Sequence, residues 1–283
     1  MKKLFATSLI ALGLATSSLS SLTVEVNGSY DYFRGIPEGS WNGNQGAVAG
    51  VNAGMDLFGY ACGQLGGSFG LYNWDGRGNL AFKNPKALEQ QAFLTAGISS
   101  SYCQWNFGVA YDHQFVKHFS VYDVSLSFGQ IRFQGGYQFC QDEVGLWGTA
   151  HMDKARKHIE GVSVSYRAIS QLSGYWTHYF SNYAESTLWL GAPYQDSLRF
   201  SNRTAGQFVA GFALRAPLAD RLYFDGHGSY MRARTSSGDS QSRNYAANVC
   251  VGITYVFGDC CNRASYMPLA NNSNFLVDTS ANQ

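Results

Sequence analysis

The chain has 283 residues, of which only 14% are charged and 15% are aromatic, and it contains 32 glycines. The formal net charge is +1 and the sequence has no dense cluster of lysine and arginine, which argues against a nucleic-acid-binding surface. Sparse charge with abundant Tyr, Phe and Gly suits a sheet that meets an apolar phase on one face and water on the other.

The first 21 residues have the order of a secretory signal peptide. Lys2 and Lys3 precede an apolar stretch over 4–14, and small residues then run to Ser21. This pattern predicts cleavage near Ser20, because the apolar stretch is too short for a retained membrane anchor. Removal of the two lysines takes the net charge from +1 to −1. Beyond residue 21 no run approaches 18 apolar residues, so any membrane crossing has to be made by strands.

The mature sequence alternates between apolar and polar residues with a period of two. In 24–33, Val24 and Val26 point one way, whereas Glu25 and Asp31 point the other way. Runs of the same kind predict strands over 47–57, 64–71, 91–100, 104–114, 121–128, 131–139, 143–152, 162–168, 174–180, 184–191, 206–216 and 221–233. The middle is ambiguous, because 153–161 also fits a helical turn and the two runs after it are short.

One face of the central runs is apolar and predicts contact with lipid. Its members are Leu94, Ile98, Trp105, Phe107, Val109, Tyr111, Tyr122, Val124, Leu126, Phe128, Ile131, Phe133, Tyr137, Val144 and Leu146. Aromatic residues near the predicted strand ends are typical of an interfacial girdle. They are Tyr60, Tyr72, Trp74, Trp105, Tyr111, Tyr122, Trp189 and Tyr255. Packing in the core of a soluble β-sandwich is the alternative.

Loop lengths favour a membrane barrel over that sandwich. Short turns at 58–60, 128–131, 181–184 and 217–220 alternate with longer loops at 34–45, 73–90, 192–205 and 234–243. Outer-membrane barrels sort their connections in this way, with short periplasmic turns and longer outer loops, whereas Greek-key sandwiches do not.

The last apolar run, 244–257, has the clearest alternation in the chain. Val249, Val251 and Ile253 share one face, and the run ends on Tyr255 and Phe257. Its length slightly exceeds the roughly 9–11 residues that a strand needs to cross a bilayer. This ending resembles the closing strand of bacterial outer-membrane β-barrels, porins among them. The resemblance implies residence in outer-membrane lipid and insertion by the barrel-assembly machinery.

Together these features predict an all-β protein, a transmembrane antiparallel up-and-down β-barrel. The strand count is 14 if both middle runs cross the membrane and 12 if they do not, an even number in either case. The predicted organisation is a signal peptide over 1–21, the barrel over 22–258 and a polar C-terminal tail over 259–283. The tail forms a plug in the lumen, extends into the periplasm or stays disordered.

Polar residues on the face opposite the apolar one are candidates for lining a pore. They are Glu25, Asp31, Asp56, Asp112, Asp123, Arg132, Glu143, Asp225 and His227. Carboxylates predominate in this set, which predicts a weak preference for cations if all of them face the pore.

Catalytic and cofactor chemistry are not indicated. Asp225, His227 and Ser229 lie at i, i+2 and i+4 and so point in parallel, whereas a charge-relay triad converges from different segments. His151, His158 and His178 are not spaced like metal ligands, and the glycines do not form a phosphate-binding loop. We therefore expect no enzymatic activity, metal or cofactor.

Cysteine usage predicts disulfides in an oxidising envelope, because the number is even. The six are Cys62, Cys103, Cys140, Cys250, Cys260 and Cys261. Adjacent cysteines seldom bond to each other, so Cys260 and Cys261 are candidates for cross-links to the barrel or to another envelope protein.

Three segments resemble uncharacterised barrel-like envelope proteins of chlamydia-like and planctomycete bacteria. They are MPLANNS at 267–273, YWTHYF at 175–180 and TLWLG at 187–191. This resemblance implies no activity. The leading functional prediction is a porin-like channel for small hydrophilic solutes. The alternative is a non-conducting structural or surface-interaction protein, with loops 73–90 and 192–205 as contacts.

Overall fold

The computed structural model describes residues 22–35, 43–57, 61–74, 88–119, 124–159, 162–193, 199–200, 203–204, 208–232, 245–258 and 277–282. The predicted signal peptide, 1–21, lies outside these residues, as does most of the tail. No helix in the described part of the chain is long and apolar enough to cross a membrane.

Every regular element in the described residues is a β-strand. In chain order they are β1 (Leu22–Gly35), β2 (Gly43–Leu57), β3 (Ala61–Trp74), β4 (Glu89–Tyr102), β5 (Trp105–Phe119), β6 (Val124–Phe139), β7 (Asp142–His151), β8 (Ala155–Ile159), β9 (Val162–Ala168), β10 (Gln171–Tyr179), β11 (Glu185–Pro193), β12 (Arg199–Phe200), β13 (Arg203–Thr204), β14 (Phe208–Ala219), β15 (Leu222–Arg232), β16 (Tyr245–Phe257) and β17 (Val277–Asn282).

Twelve of these strands form a closed antiparallel barrel. Their order around the wall is β1-β16-β15-β14-β11-β10-β7-β6-β5-β4-β3-β2. The barrel closes where β1 pairs with β16, from Val24 opposite Phe257 to Gly35 opposite Ala246. Closure pairs the backbone of every wall strand on both sides, which a strand needs in an apolar phase that offers no other hydrogen-bond partner. The predicted all-β antiparallel barrel is confirmed, with twelve strands.

The predicted closing strand is confirmed in its position and in its faces. Val249, Val251, Ile253, Tyr255 and Phe257 of β16 are all at least 40% exposed on the outside. The intervening Asn248, Cys250, Thr254 and Val256 are buried on the inside. Apolar side chains can stay on an outer face that contacts lipid, because the hydrophobic effect does not drive them out of an apolar phase.

The prediction of two strands over 121–128 and 131–139 is wrong. β6 runs without interruption from Val124 to Phe139, so there is no turn at 128–131. Positions of even and odd number in one continuous strand point to opposite faces. Phe133 is exposed on the outside, and Leu126 and Phe128 are therefore on the inside, where they are buried. Their assignment to the lipid face is corrected accordingly.

The segment after β7 does not cross the membrane as the 14-strand alternative required. Strands β8 and β9 form a hairpin that is not part of the barrel wall, and β17 adds to β9 to give a separate three-stranded sheet in the order β17-β9-β8. Of the two alternatives for 153–161, the helical turn does not form, because Ala155–Ile159 is an extended strand. The neighbouring run does cross, as β10.

Short connections lie at one end of the barrel. They include 103–104, 140–141, 180–184 and 220–221, and Cys103, Cys140 and Arg221 have a positive φ, as tight hairpin turns require. The strand ends that longer connections join, such as Trp74 with Glu89 and His151 with Gln171, lie at the opposite end. In bacterial outer-membrane barrels the short turns face the periplasm. We call these two ends the periplasmic end and the outer end.

Candidate functional site: the barrel lumen

The lumen is lined by polar side chains, many of them buried. On β5, for example, Val109, Tyr111 and Phe115 are exposed outside, whereas Asp112 and Gln114 are buried inside. A buried polar group costs free energy unless it is hydrogen-bonded, so the partners of these groups determine what the lumen can do.

An ion pair between Asp112 and Arg132 occupies one wall of the lumen. Arg132 Nε lies 3.1 Å from Asp112 Oδ2, and Arg132 Nη2 lies 3.2 Å from Oδ1. Thr95 Oγ1 donates to the same carboxylate at 2.7 Å, and Gln130 Nε2 donates at 3.2 Å. The two charged side chains are 0% and 3% exposed. This bidentate, desolvated ion pair fixes β4, β5 and β6 to one another and fills this part of the lumen with the protein's own side chains.

Glu143 is the centre of a second cluster, nearer the periplasmic end. Asn106 Nδ2 donates to its carboxylate at 2.8 Å, Tyr179 Oη donates at 3.0 Å, and Tyr175 Oη forms a further short hydrogen bond. Gln134 Nε2 in turn donates to Tyr175 Oη at 3.2 Å. These contacts join β5, β6, β7 and β10, so this side of the lumen is also filled by its own side chains.

Asp31 holds a third cluster on the opposite wall, towards the outer end. Tyr72 Oη donates to Asp31 Oδ2 at 2.8 Å, and Asn248 Nδ2 donates to Oδ1 at 2.6 Å. Tyr72 is completely buried, so it belongs to the lumen and not to the interfacial girdle. Trp189 likewise sits on an inward position of β11, with its ring centroid 5.9 Å from that of Trp147. The girdle assignment of Tyr72 and Trp189 is therefore corrected.

A cavity lies along the wall formed by β14, β15, β16, β1, β2 and β3 and reaches β4, where glycines and small polar residues line it together with Val48, Val51, Phe93 and Thr95. The cavity has a volume of about 70 Å³. Its lining includes Asn27, Gly50, Asn52, Gly66, Ser68 and Thr254. Since about 10–15 Å³ of a volume measured in this way is enough for one water molecule, the space holds several waters.

Arg215 stands at the edge of this cavity between two carboxylates. Its Nη2 lies 3.0 Å from Glu25 Oε1, and its Nε lies 3.4 Å from Asp225 Oδ1. The guanidinium also lies 4.9 Å from the ring centroid of Tyr223. The three charged side chains are 11–18% exposed, more than the Asp112–Arg132 pair. A group of one cation and two anions therefore borders the part of the lumen that remains open.

The β8–β9 hairpin fills the outer end of the lumen beside β4, β5 and β6. Tyr166 and Ala168 of β9 pack in one buried cluster with Phe93, Val116, Leu126 and Phe128 of the barrel wall. Thr149 Oγ1 donates to the Ile169 carbonyl at 2.7 Å, which holds the end of the hairpin against β7. Arg167 and Ser170 are buried as well.

The residues predicted to line a pore are placed in several separate clusters. Those on inward strand positions are Glu25, Asp31, Asp112, Arg132, Glu143, Asp225 and His227. Asp56 is exposed near the periplasmic end of β2, and Asp123 lies outside the described residues. Sequence reasoning missed Arg215. Its inward position was available from the alternation of β14, where Phe212 and Leu214 are exposed outside.

The described cysteines form no disulfide with one another. Cys103 and Cys140 are exposed in turns at the periplasmic end, Cys62 is half-buried and Cys250 is buried in the lumen. Cys260 and Cys261 lie outside the described residues, so a cross-link through either of them stays a prediction.

A closed twelve-strand barrel with an apolar outer face and a polar interior defines a class, the bacterial outer-membrane β-barrels. Within that class the chain belongs to DUF6666, a family of unknown function, whose model matches residues 24–277. No curated protein matches the chain significantly.

Solved structures share the fold at low sequence identity. An outer-membrane channel from Pseudomonas putida F1 is similar with a TM-score of 0.57 and 10% identity, over 85% of this chain and 98% of that one. A FadL homologue from Pseudomonas aeruginosa is similar with a TM-score of 0.50 and 9% identity, over 83% of this chain and 90% of that one. At such identities the likeness concerns the fold alone.

Proposed function

We propose that the protein is a porin-like channel with a narrow lumen that passes small hydrophilic solutes. The observation that carries this proposal is the cavity beside Arg215, whose lining includes several glycines and small polar residues. Gly50, Gly66 and Ser68 leave space beside Val48 and Phe93 that larger side chains at those three positions would fill.

The passage we propose follows β1, β2 and β3, because the opposite wall is filled by the Asp112 and Glu143 clusters. A cavity of about 70 Å³ suits ions and solutes of a few heavy atoms. Since Glu25 and Asp225 outnumber Arg215, the open part of the lumen carries a net negative charge and favours cations. Reversal potentials that favour anions would refute this selectivity.

Single-channel conductance in a planar bilayer tests the proposal. The refolded protein is measured as the full chain and as a chain that ends at residue 276, because β17 lies at the outer end of the lumen. We expect discrete conductance steps from at least the shortened chain. If neither protein conducts, although circular dichroism and heat-modifiable gel mobility show a folded barrel, the proposed channel function is contradicted.

A second candidate is a non-conducting barrel that serves as a structural or surface-interaction protein of the envelope. The buried Asp112–Arg132 pair favours it, because a fixed ion pair with no exposure contributes nothing to solute passage. Cross-linking to another envelope protein through cysteines belongs to this candidate. Non-reducing electrophoresis of envelope preparations would detect that species, and it would collapse to the monomer on reduction.

We infer a role without catalysis. Asp225, His227 and Ser229 lie in line on the inward face of β15, and the Asp225 carboxylate pairs with Arg215 of the neighbouring strand. We also expect the barrel-assembly machinery to insert the protein, as the aromatic ending of β16 suggests, and the resemblance to planctomycete and chlamydia-like envelope barrels stays a prediction.

A further inference from the structure

The last strand of the chain lies at the end of the barrel opposite to the point where the wall is completed. β16 ends with Phe257 opposite Val24, at the periplasmic end. β17 pairs with β9, and β9 follows β7 at the outer end. The chain therefore brings its C-terminal strand from one end of the barrel to the other.

The β9 strand, to which β17 pairs, is firmly attached to the barrel. β9 presents Tyr166 and Ala168 to the apolar cluster of Phe93, Val116 and Phe128, so the hairpin is anchored to the inner wall. One edge of β9 pairs with β8, from Ala155 opposite Tyr166 to Ile159 opposite Val162. The second edge is the one that β17 covers.

β17 covers that edge along nearly its whole length. The register runs from Val277 opposite Ala168 to Asn282 opposite Ser163, and it sets Asp278 opposite Arg167. An uncovered strand edge leaves backbone N–H and C=O groups without partners, so the second edge of β9 is a ready binding site for a strand.

β17 also lies against β12, a strand of the ribbon β12–β13 in the connection between β11 and β14. It is thus placed between two structures that rise from different parts of the barrel rim, the β8–β9 hairpin and this ribbon. In that position β17 reaches from the hairpin that packs against β4, β5 and β6 to the connection between β11 and β14.

We propose that the edge of β9 is a docking site for the chain's own C-terminal strand, and that docked β17 closes the outer opening of the lumen. The closing role rests on the proposed channel function, whereas the docking does not. None of the twelve wall strands pairs with β17, so its release leaves the pairing of the barrel wall intact.

Two variants and a control test the proposal in the refolded protein. Deletion of residues 277–283 removes β17. Asp278→Lys keeps the strand but sets two positive charges at facing positions, which disfavours pairing. Asp278→Glu keeps the negative charge and serves as the matched control. Circular dichroism and heat-modifiable mobility establish that each barrel has folded.

Hydrogen exchange of the backbone amides over 163–168 reports docking without reference to conductance. We expect exchange there to accelerate about tenfold or more in the deletion variant, less in Asp278→Lys and not at all in Asp278→Glu. Unchanged exchange in the deletion variant would overturn the docking proposal.

Single-channel conductance then reports closure. Steps that increase in size or in open probability with both disruptive variants, and not with the control, would support it. Faster exchange combined with equal conductance in the full and shortened chains would overturn the closing role but not the proposed channel function. Faster exchange with no conductance from any protein would overturn the channel function itself, and the closing role with it.

Discussion

Arg215 Nη2 lies 3.0 Å from Glu25 Oε1, so an ion pair joins β14 to β1 across the two intervening strands β15 and β16. The partner on β15 is Asp225, which is directly opposite Arg215 in the register of the β14–β15 pair. One guanidinium therefore connects three strands beside the closure of the barrel, and it borders the cavity. Its charge is central to the electrostatics of the proposed path.

Removal of this charge should change ion selectivity. Arg215→Gln leaves Glu25 and Asp225 without their cation, so the preference of the channel for cations should increase by about fivefold in the permeability ratio, equivalent to about 1 kcal/mol. Reversal potentials in a salt gradient measure this ratio. Arg215→Lys retains the charge and should keep a ratio near that of the original protein. Equal permeability ratios in Arg215→Gln and Arg215→Lys would show that ions do not pass Arg215.

The buried Asp112–Arg132 pair should matter for stability. Asp112→Asn leaves the Arg132 guanidinium buried without a counter-charge, which costs about 3–5 kcal/mol in the free energy of unfolding. Urea titration of the barrel in lipid vesicles measures this value. The control is Asp56→Asn at an exposed position, where a change within about 0.5 kcal/mol is expected. Similar losses for both variants would contradict the structural role assigned to the pair.

Close approach of three strands at Gly145 gives a prediction about packing. A Cβ atom at this position would lie 2.2 Å from the Gly135 carbonyl oxygen and 2.6 Å from Cε1 of the Tyr175 ring. Gly145→Ala should therefore destabilise the barrel by about 1–3 kcal/mol. At Gly28, on the outside of β1, an added Cβ meets nothing within 4 Å, so Gly28→Ala should be neutral or slightly stabilising. The same urea titration compares the stability of the two variants. An unchanged free energy of unfolding in Gly145→Ala would count against the close approach of β6, β7 and β10.

The barrel was predictable because its signal is local. Alternation with a period of two identifies each wall strand independently, and β16 shows it from Val249 to Phe257. The alternation of short and long connections along the chain then distinguishes a barrel from a sandwich. Both signals are present in the sequence without knowledge of which strands pair.

The errors arose where glycine and local polarity imitate a turn. Gly129 and Gln130 interrupt the apolar pattern of β6, although both lie within one continuous strand. Gln130 is polar because it donates to Asp112 on the inside. The alternation assigns Leu126 and Phe128 to the inner face only when 124–139 is treated as one continuous strand.

The clusters in the lumen and the sheet of β8, β9 and β17 depend on contacts between distant parts of the chain. Glu25 and Arg215 are separated by 190 positions, and Asp31 and Asn248 by 217. Alternation places each of these residues on the inside, but only the register of the paired strands decides which of them meet. The partner of the C-terminal strand is likewise invisible to any local pattern.

The most direct test of the channel compares two adjacent positions on β1 in the chain that ends at residue 276. Asn27 lines the cavity, whereas Val26 is 44% exposed on the outer face. Single-channel conductance in a planar bilayer should fall sharply in Asn27→Trp, because the indole fills the space, and should be unchanged in Val26→Trp. Equal conductance in the two variants, or no conductance from the parent chain, would contradict a solute path along this wall.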